Sequence, residues 1–294
     1  MERIKLVFSD FFYYMMKVVK TEKELKAEIS AAKKSGKKIG FVPTMGSLHT
    51  GHASLIETSK KQCDYTVVSI FVNPTQFNDK KDFEKYPRDI ENDSEFLKKL
   101  KVDIVFTPSE KEIYPKPDKR KFNFGKLDSI LEGKFRPGHF NGVAQVVSRL
   151  LGIVEPDKLF LGEKDYQQIL IVKELVKQLS LKVDVVPCPT IRDDEGFALS
   201  SRNKLLSDEE YDEATFIPIW MNEVKKLSLR YKISQIKARV ETLVSQHPQM
   251  KLEYFEICDA ASLHPIQDFE EAEKCIALIA LYVGKTRLID NIMI

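Results

Sequence analysis

The fold is decided by one stretch of sequence, residues 39–72, which reads IGFVPTMGSLHTGHASLIETSKKQCDYTVVSIFV. Residues 39–42 form an apolar run, residues 43–50 have the composition of a loop, and residues 51–62 follow a helical pattern. Residues 65–72 are a continuous, largely β-branched run, which is typical of a parallel strand that is buried on both faces. Strand, helix and strand in this order predict a βαβ unit.

The alternation of helix and strand continues on both sides of this unit. Thr21 and Glu24 form a capping-box pattern ahead of a helix that Gly36 ends. Further along the chain, the patterns predict helices at residues 89–101 and 165–179 and strands at residues 103–106, 158–161 and 183–186. We therefore expect an α/β domain over residues 16–194, built on a Rossmann-like doubly wound parallel sheet.

The pattern changes near residue 195. A helical stretch opens at Ser207, a second helix covers residues 233–246, and strands are predicted at residues 252–257 and 275–283. These elements predict a smaller C-terminal α+β domain over residues 195–294. At the other end of the chain, residues 1–15 precede the first well-patterned segment, and we interpret them as an N-terminal extension.

The composition of the chain excludes several classes of protein. The 294 residues are 43% hydrophobic and 31% charged, which is the balance of a folded globular protein. A formal net charge of +2 is too small for a sequence-independent nucleic-acid surface. The apolar run near the N-terminus is too short to span a membrane, and the four cysteines are too widely spaced for a zinc site. We expect a cytoplasmic enzyme with no nucleic-acid or membrane partner.

The loop between the first strand and its helix carries the strongest chemical signal. Gly46 and Gly51 allow a ligand to approach the backbone closely, and the helix that follows offers free N–H groups to a phosphate. His49 and His52 lie three residues apart in this loop, where doubly wound sheets bind nucleotides. The alternative is that the two histidines only cap the helix. The combination with two glycines favours a site for an anion.

Residues 49–52, HTGH, resemble the HxGH signature of a nucleotidyltransferase superfamily that activates small groups with ATP. Further motifs resemble those of the pantoate–β-alanine ligases, also called pantothenate synthetases, in the same order. They are FVNPTQF at residues 71–77, RPGHF at 136–140, GEKDYQQ at 162–168 and ALSSRN at 198–203. The resemblance extends from about Met16 to the LIDN sequence at residues 288–291.

This resemblance implies an ATP-dependent ligase that joins (R)-pantoate to β-alanine through a pantoyl adenylate and releases AMP and pyrophosphate. It implies that ATP binds Met45, Gly46, Ser47, Leu48, His49, Thr50, Gly51, His52, Gly162, Glu163, Lys164, Asp165, Ile191, Leu199, Ser200, Ser201 and Arg202. The residues expected to stabilise the charge on the phosphates are His49, His52, Lys164, Ser200, Ser201 and Arg202. Among these, His52 is the expected proton donor, because a histidine beside a polyphosphate can retain its proton near neutral pH.

The resemblance assigns Gln76 and Gln168 to pantoate, with Gln76 also close to the β-alanine position. Asn73 ends the same buried strand as Gln76 and is expected to contact substrate as well. Arg136 and His139 lie in a Pro-Gly loop that could order over the site, and ordinary helix or turn structure is the alternative.

Magnesium is expected with ATP, held chiefly by the substrate phosphates, and its protein ligands are not predicted. The family pattern offers Asp93 as a helper, whereas the acidic run at residues 193–195 is interpreted as a solvated turn. The family resemblance also predicts a homodimer, with residues 65–72 and nearby helices as a candidate contact surface. We expect the segment from about residue 195 to act as a movable lid, because a reactive adenylate must be protected from water. A rigid accessory domain is the alternative.

Two other functions are consistent with the HxGH signature. A different nucleotidyltransferase would leave the nucleotide on a small carboxylate or phosphate substrate and would need no amine. A non-catalytic nucleotide-binding module would tolerate the loss of Lys164 and Arg202.

Overall fold

The computed structural model describes residues 16–78 and 80–294, so that the predicted extension of residues 1–15 lies outside the described residues. The strands are β1 (Lys17–Val19), β2 (Ile39–Thr44), β3 (Tyr65–Ile70), β4 (Ile104–Phe106), β5 (Lys158–Gly162), β6 (Asp184–Cys188), β7 (Met250–Asp259), β8 (Cys275–Val283) and β9 (Thr286–Met293). The α-helices are α1 (Glu22–Lys34), α2 (Thr50–Gln62), α3 (Lys80–Lys85), α4 (Ile90–Lys99), α5 (Glu110–Ile113), α6 (Glu132–Phe135), α7 (His139–Val154), α8 (Tyr166–Gln178), α9 (Asp208–Ala214), α10 (Phe216–Leu227) and α11 (Ile233–Ser245).

The first six strands form one parallel sheet in the order β1-β4-β3-β2-β5-β6. The predicted α/β class and doubly wound parallel sheet are therefore confirmed. From β2 the chain proceeds to β3 on one side, whereas β5 pairs with β2 on the other side. This reversal of direction opens a crevice at the carboxyl ends of β2 and β5, where ligands bind in such sheets.

Both faces of this sheet are covered by apolar side chains. Phe41, Val67 and Phe106 lie in the core on one face, and Val42 and Val68 lie in the core on the other. The alternation of faces along β2 and β3 explains why nearly every residue of the two strands is apolar. Because β3 lies between β2 and β4, residues 65–70 are inside the sheet and offer no free strand edge to a partner. A dimer contact through the nearby helices stays a prediction.

Close packing of α2 on β2 depends on Gly40. A Cβ atom at this position would lie 2.2 Å from Ser59 Oγ on the helix. Ser59 is fully buried, and its hydroxyl lies 2.9 Å from Thr66 Oγ1 on β3. The short helix-to-strand distance fixes where the N-terminus of α2, with its two histidines, meets the edge of the sheet.

The predicted elements differ from the structure mainly at their ends. Strand β2 continues through Pro43 to Thr44. A proline is tolerated there because β5 pairs with β2 only at Gly40 and Phe41, so Pro43 lies beyond that pairing. Strand β3 ends at Ile70, two residues earlier than predicted. Helix α8 begins at Tyr166, after a short 3-10 turn.

Helix α7 is the longest element that the sequence patterns did not predict. It contains Gly142 and Gly152, which lower helix propensity. Gly142 is required by packing, since a Cβ there would lie 2.2 Å from the carbonyl oxygen of Thr75. Helix α7 therefore contacts the segment after β3 directly. The expected Pro-Gly loop ends at Gly138, and His139 is the first residue of the helix.

The C-terminal region has the predicted α+β composition, with an antiparallel sheet in the order β7-β8-β9. Strand β9 was not predicted, because Asp290 and Asn291 interrupt its apolar pattern. One face of the sheet packs against α10 and α11 around Trp220, Val240 and Ile279. The other face packs against Leu131 and its neighbours in the first region. The division of the chain at residue 195 stays a prediction.

None of the helices in the described part of the chain is both long and apolar enough to cross a bilayer.

Candidate active site

A cavity of about 250 Å³ lies at the carboxyl ends of β2 and β5, in the crevice that the sheet topology predicts. Most of the predicted site residues line it. They are Met45, His49, Gly51, His52, Asn73, Gln76, Arg136, His139, Gly162, Lys164, Asp165, Gln168, Ile191, Leu199, Ser200, Ser201 and Arg202. These residues are far apart in sequence, and the fold brings them around one space.

Five of the predicted ATP-binding residues do not line this cavity: Gly46, Ser47, Leu48, Thr50 and Glu163. Ser47 and Leu48 are buried in the loop, where their backbone N–H groups bind a carboxylate of the protein itself. Glu163 is in the 3-10 turn after β5. Ser47 and Leu48 therefore help to shape the loop, and ATP binding by the five residues stays a prediction.

The two histidines form a capping box at the start of α2. His49 Nδ1 accepts a hydrogen bond from the backbone N–H of Gly51 at 3.1 Å, and His52 Nδ1 accepts one from the backbone N–H of His49 at 3.3 Å. The two histidines therefore do cap the helix, and a catalytic role for them stays a prediction. Because each Nδ1 is an acceptor, the neutral ring carries its proton on Nε2.

The protein lowers the pKa of both histidines. The pKa of His49 is lowered to about 4 and that of His52 to about 3. Burial is the largest cause of both shifts, and the ammonium group of Lys164 contributes to them. With the protein groups alone, both rings are neutral at pH 7, which differs from the predicted protonated His52. A bound polyphosphate would act in the opposite direction, because a nearby negative charge favours the imidazolium.

Asp93 holds the loop that carries the histidines. Its side-chain oxygens accept hydrogen bonds from the backbone N–H groups of Ser47 at 2.8 Å and Leu48 at 2.7 Å. Gly46, with a φ of 85°, passes so close that a Cβ would lie 2.9 Å from Asp93 Oδ2. Asp93 is buried and does not line the cavity, so the suggestion that it assists a magnesium ion is wrong. The carboxylate is occupied by the loop backbone.

The loop at residues 200–202 is attached to the histidine loop. Ser201 Oγ donates to the carbonyl oxygen of Ser47 at 3.0 Å, which connects two loops that are 154 positions apart. Ser200 Oγ accepts a hydrogen bond from the backbone N–H of Arg202. The guanidinium group of Arg202 pairs with Asp82 on α3 at 3.0 Å. The predicted phosphate-binding motif is therefore held in place by partners on two other elements.

The backbone at Lys164 is fixed by the C-terminal sheet. Asn291 Nδ2 on β9 donates to the carbonyl oxygens of Glu163 and Lys164, each at 2.9 Å. The Lys164 ammonium group lies close enough to the two histidines to lower their pKa values. A single positive region at this end of the cavity is thus built from β5, α2 and the contact with β9.

Uncharged amides form a different part of the wall. Asn73 is 1% exposed and donates from Nδ2 to Gln76 Oε1 at 3.0 Å and to the carbonyl oxygen of Gly142 at 3.2 Å. All its polar atoms have partners, so its geometry favours support of Gln76 over direct contact with substrate. Gln168 lines the cavity, whereas its neighbour Gln167 is buried and bonds three backbone groups of residues 127–132.

Arg136 and His139 are fixed by buried contacts. His139 Nδ1 donates to the carbonyl oxygen of Gln76 at 2.8 Å, and burial lowers the pKa of His139 to about 3. Arg136 lies 3.5 Å from Glu132, whose carboxylate also binds Arg287 of β9 at 2.7 and 2.8 Å. The attraction of these guanidinium groups overcomes the effect of burial and lowers the pKa of Glu132 to about 2. Both predicted residues belong to a rigid part of the wall.

Several lining residues were missed by the sequence analysis. Tyr86 lines the cavity and shares a hydrogen bond with Ser201, and burial raises its pKa. Apolar side chains complete the wall, namely Pro43, Phe77, Val143, Val146, Val147 and Leu150. Tyr86 precedes a proline in a short irregular segment, so no periodic pattern pointed to it. The residues of α7 were missed together with the helix.

Residues 16–78 and 80–294 contain no group of three or more His, Cys, Asp or Glu side chains that could hold a metal ion. The acidic run at residues 193–195 is a turn, as predicted. Asp193 accepts hydrogen bonds from the backbone N–H groups of Glu195 and Phe197 and from the hydroxyl of Tyr211.

Comparison with known proteins agrees with this geometry. The family model described as pantoate-beta-alanine ligase matches residues 17–293. The pantothenate synthetase of Bacteroides thetaiotaomicron is 46% identical over 277 residues, which cover 94% of this chain and 98% of the relative. That of Caldicellulosiruptor saccharolyticus is 44% identical over 281 residues, covering 95% and 99% of the two chains.

Solved structures give the same result. The crystal structure of pantothenate synthetase from Thermus thermophilus has a TM-score of 0.88 at 36% identity, covering 94% of this chain and 99% of that one. The pantoate-beta-alanine ligase from Francisella tularensis, complexed with beta-gamma ATP and beta-alanine, has a TM-score of 0.77 at 37% identity, covering 95% and 98%. The resemblance of the sequence motifs is thereby confirmed, and the chain belongs to the pantoate–β-alanine ligase family.

Proposed function

We propose that this protein carries out the reaction for which its family is named, the ATP-dependent joining of (R)-pantoate to β-alanine. The observation that carries the proposal is the convergence of two kinds of polar group on one cavity. Donors suited to phosphates come from His49, His52, Lys164 and Arg202, and an uncharged donor suited to a hydroxy acid comes from Gln76.

The first step is activation of the pantoate carboxylate. A carboxylate oxygen attacks the α-phosphorus of ATP, the bond to the β-phosphate oxygen breaks, and pyrophosphate leaves with the electron pair. Negative charge increases on the phosphate oxygens, and Lys164 with Arg202 stabilises it electrostatically. His49 and His52 each donate a hydrogen bond from neutral Nε2–H, since each Nδ1 already accepts from the backbone.

The second step forms the amide. The neutral β-alanine amine attacks the carbonyl carbon of the pantoyl adenylate, AMP leaves, and the amine loses a proton. The protein contributes by holding the two reactants in line and by excluding water. No protein nucleophile is needed, because the adenylate already has a good leaving group.

We propose Mg²⁺ as the companion of ATP, carried by the substrate phosphates. The donor set fits this arrangement: among the described residues that line the cavity, the one carboxylate is that of Asp165. Magnesium commonly binds through substrate phosphates and one or two carboxylates. Magnesium would neutralise charge on the phosphates, and Asp165 would bind either the ion or a ribose hydroxyl.

We also propose that the C-terminal region covers the site during the reaction. A second space of about 580 Å³ lies between the two regions and shares Lys164, Ser200 and Arg202 with the first cavity. The buried ion pair between Glu132 and Arg287 favours the alternative of a fixed accessory region. Small-angle scattering with and without ATP and pantoate distinguishes them: an unchanged radius of gyration and unchanged domain orientation in paired structures would exclude the lid.

A homodimer in the cytoplasm completes the proposal. The cysteines Cys63, Cys188, Cys258 and Cys275 are all free, which is consistent with a reducing compartment. Sedimentation equilibrium tests the dimer, and a monomer at micromolar concentration would contradict it.

The reaction itself is tested by product analysis of the purified protein with ATP, pantoate and β-alanine. We expect AMP, pyrophosphate and an amide product, all dependent on both organic substrates. Formation of ADP would reject the adenylate route. A nucleotide left on the product would indicate a different nucleotidyltransferase, and the absence of pantoate-dependent exchange of pyrophosphate into ATP would indicate a non-catalytic module.

A further inference from the structure

A line of hydrogen bonds runs from outside the cavity to Gln76. Tyr114, the residue after α5, donates from its hydroxyl to Asn73 Oδ1 at 2.9 Å. Asn73 Nδ2 in turn donates to Gln76 Oε1 at 3.0 Å. Tyr114 is half-buried, and its ring lies 6.3 Å from that of Phe71. Burial raises the pKa of Tyr114, so the hydroxyl keeps its proton at neutral pH.

The partners of Asn73 fix the orientation of its amide. The carbonyl oxygen of Gly142 can only accept, so the atom facing it at 3.2 Å must be the amino group. On the other side, the backbone N–H of Thr75 can only donate, so the atom facing it at 3.4 Å must be the oxygen. The Tyr114 hydroxyl supplies the shortest hydrogen bond to this oxygen and holds it in place.

The orientation of Asn73 determines that of Gln76. Because Asn73 donates to Gln76, the Oε1 atom of Gln76 is occupied and its amino group points elsewhere. Gln76 Nε2 lies 3.2 Å from the sulfur of Met45, another lining residue. The bond from Asn73 uses one lone pair of Gln76 Oε1 and directs the N–H groups of Gln76 toward Met45, so that they are available to a ligand in the cavity. This polarity suits the carboxylate or a hydroxyl oxygen of a hydroxy acid.

We propose that Tyr114 is a positioning residue for pantoate, acting through Asn73 on Gln76. It does not line the cavity, so its effect on substrate passes through the two amides. The inference rests on the proposed function, since it assigns pantoate to Gln76.

The substitution Tyr114→Phe tests this inference, because it keeps the ring against Phe71 and removes the hydroxyl. We expect the KM for pantoate to rise roughly three- to tenfold, the range of one net hydrogen bond, while the KM for ATP stays unchanged. The matched control is Tyr65→Phe, at the amino end of β3 and away from the cavity, which should change neither KM. A role in folding alone would not separate the two KM values.

A double-mutant cycle with Gln76→Ala provides the decisive measurement. If Tyr114 acts through Gln76, the substitution Tyr114→Phe has no further effect on the KM for pantoate once Gln76 is replaced. Full additivity, an unchanged KM for pantoate, or an equal rise in both KM values would overturn the inference. Failure of the wild-type enzyme to form AMP with pantoate would instead reject the proposed function, so the two failures are distinguishable.

Discussion

The six-stranded parallel sheet and the three-stranded antiparallel sheet use their buried polar residues in different ways. Around the parallel sheet, Asn73 after β3 and Asp93 on α4 hold the loops that surround the cavity. In the antiparallel sheet, Asp290 and Asn291 lie within a strand and bind residues of the other region.

This difference indicates that the two sheets have different structural roles. The parallel sheet places the residues that line the cavity, because the carboxyl ends of its strands meet at one edge. The C-terminal sheet fixes segments of the first region. Asp290 binds Arg192 at 2.7 and 2.8 Å, and Asn291 holds the backbone that precedes α8. Substitutions in the two regions should therefore have effects of different kinds.

The largest effect is expected where the two regions meet. In Glu132→Ala, Arg136 loses its ion-pair partner, the hydroxyl of Tyr254 loses its acceptor and Arg287 keeps only Glu253. The free energy of unfolding should therefore fall by about 3–5 kcal/mol. Urea denaturation measures this change. The control is Glu256→Ala, which removes a half-exposed pair with Lys237 and should cost less than about 1 kcal/mol. Equal, small losses in both variants would show that the junction contributes little.

The next largest effect concerns chemistry and belongs to the parallel sheet. His52→Ala removes the proposed donor to the developing charge on the phosphates, so kcat should fall about 10²- to 10³-fold. Stability should change far less, as measured by thermal denaturation. The same substitution at His264, an exposed residue of the C-terminal region, serves as the control. Unchanged turnover in His52→Ala would remove this residue from the mechanism.

The third prediction concerns the loss of folding stability at low pH. The pKa of His139 is lowered to about 3 in the folded state, against about 6.5 in an unfolded chain. Between these values the unfolded state binds the proton first, so stability is lost as pH falls below about 6.5. The expected loss from His139 is about 2 kcal/mol between pH 6.5 and pH 5. Burial lowers the pKa of His49 and His52 in the same direction.

The substitution His139→Asn tests the origin of this acid sensitivity, since an asparagine amide can still donate to the carbonyl oxygen of Gln76. Denaturation curves at pH 7 and pH 5 should differ less for this variant than for the wild type. The corresponding change at His264 should leave the difference as large as in the wild type. An undiminished difference in His139→Asn would place the acid sensitivity elsewhere.

The smallest effect compares two glycines of similar backbone conformation. Gly46 has a φ of 85° and Gly284, in the turn between β8 and β9, has a φ of 56°. Alanine at either position should cost about 1–2 kcal/mol of stability. We expect Gly46→Ala alone to raise the KM for ATP, because a Cβ there would press on Asp93 and move the histidine loop. Equal KM values for ATP in the two variants would show that the histidine loop tolerates displacement.

Features that depend on near neighbours in the chain could be predicted from the residue pattern. Thr21 and Glu24 form the predicted capping box, and the run at residues 275–283 is β8 at the predicted boundaries. The βαβ unit and the doubly wound class followed from strand and helix periods of this kind. The histidine loop and the turn at Gly162 were found because a strand end followed by glycine and a helix start is a local signal, whereas Gln76, Gln168 and the loop at residues 199–202 came from the family resemblance.

The residues that support the site became visible only in the folded chain. Glu132 and Arg287 are 155 positions apart, and Tyr114 and Asn73 are 41 apart, so no local pattern links them. The pKa values of His49 and His52 also depend on burial and on Lys164, which lies in the turn after β5. Periodicity and capping report interactions within a few residues, whereas ion pairing, burial and amide orientation are set by contacts that exist only after the two sheets have packed together.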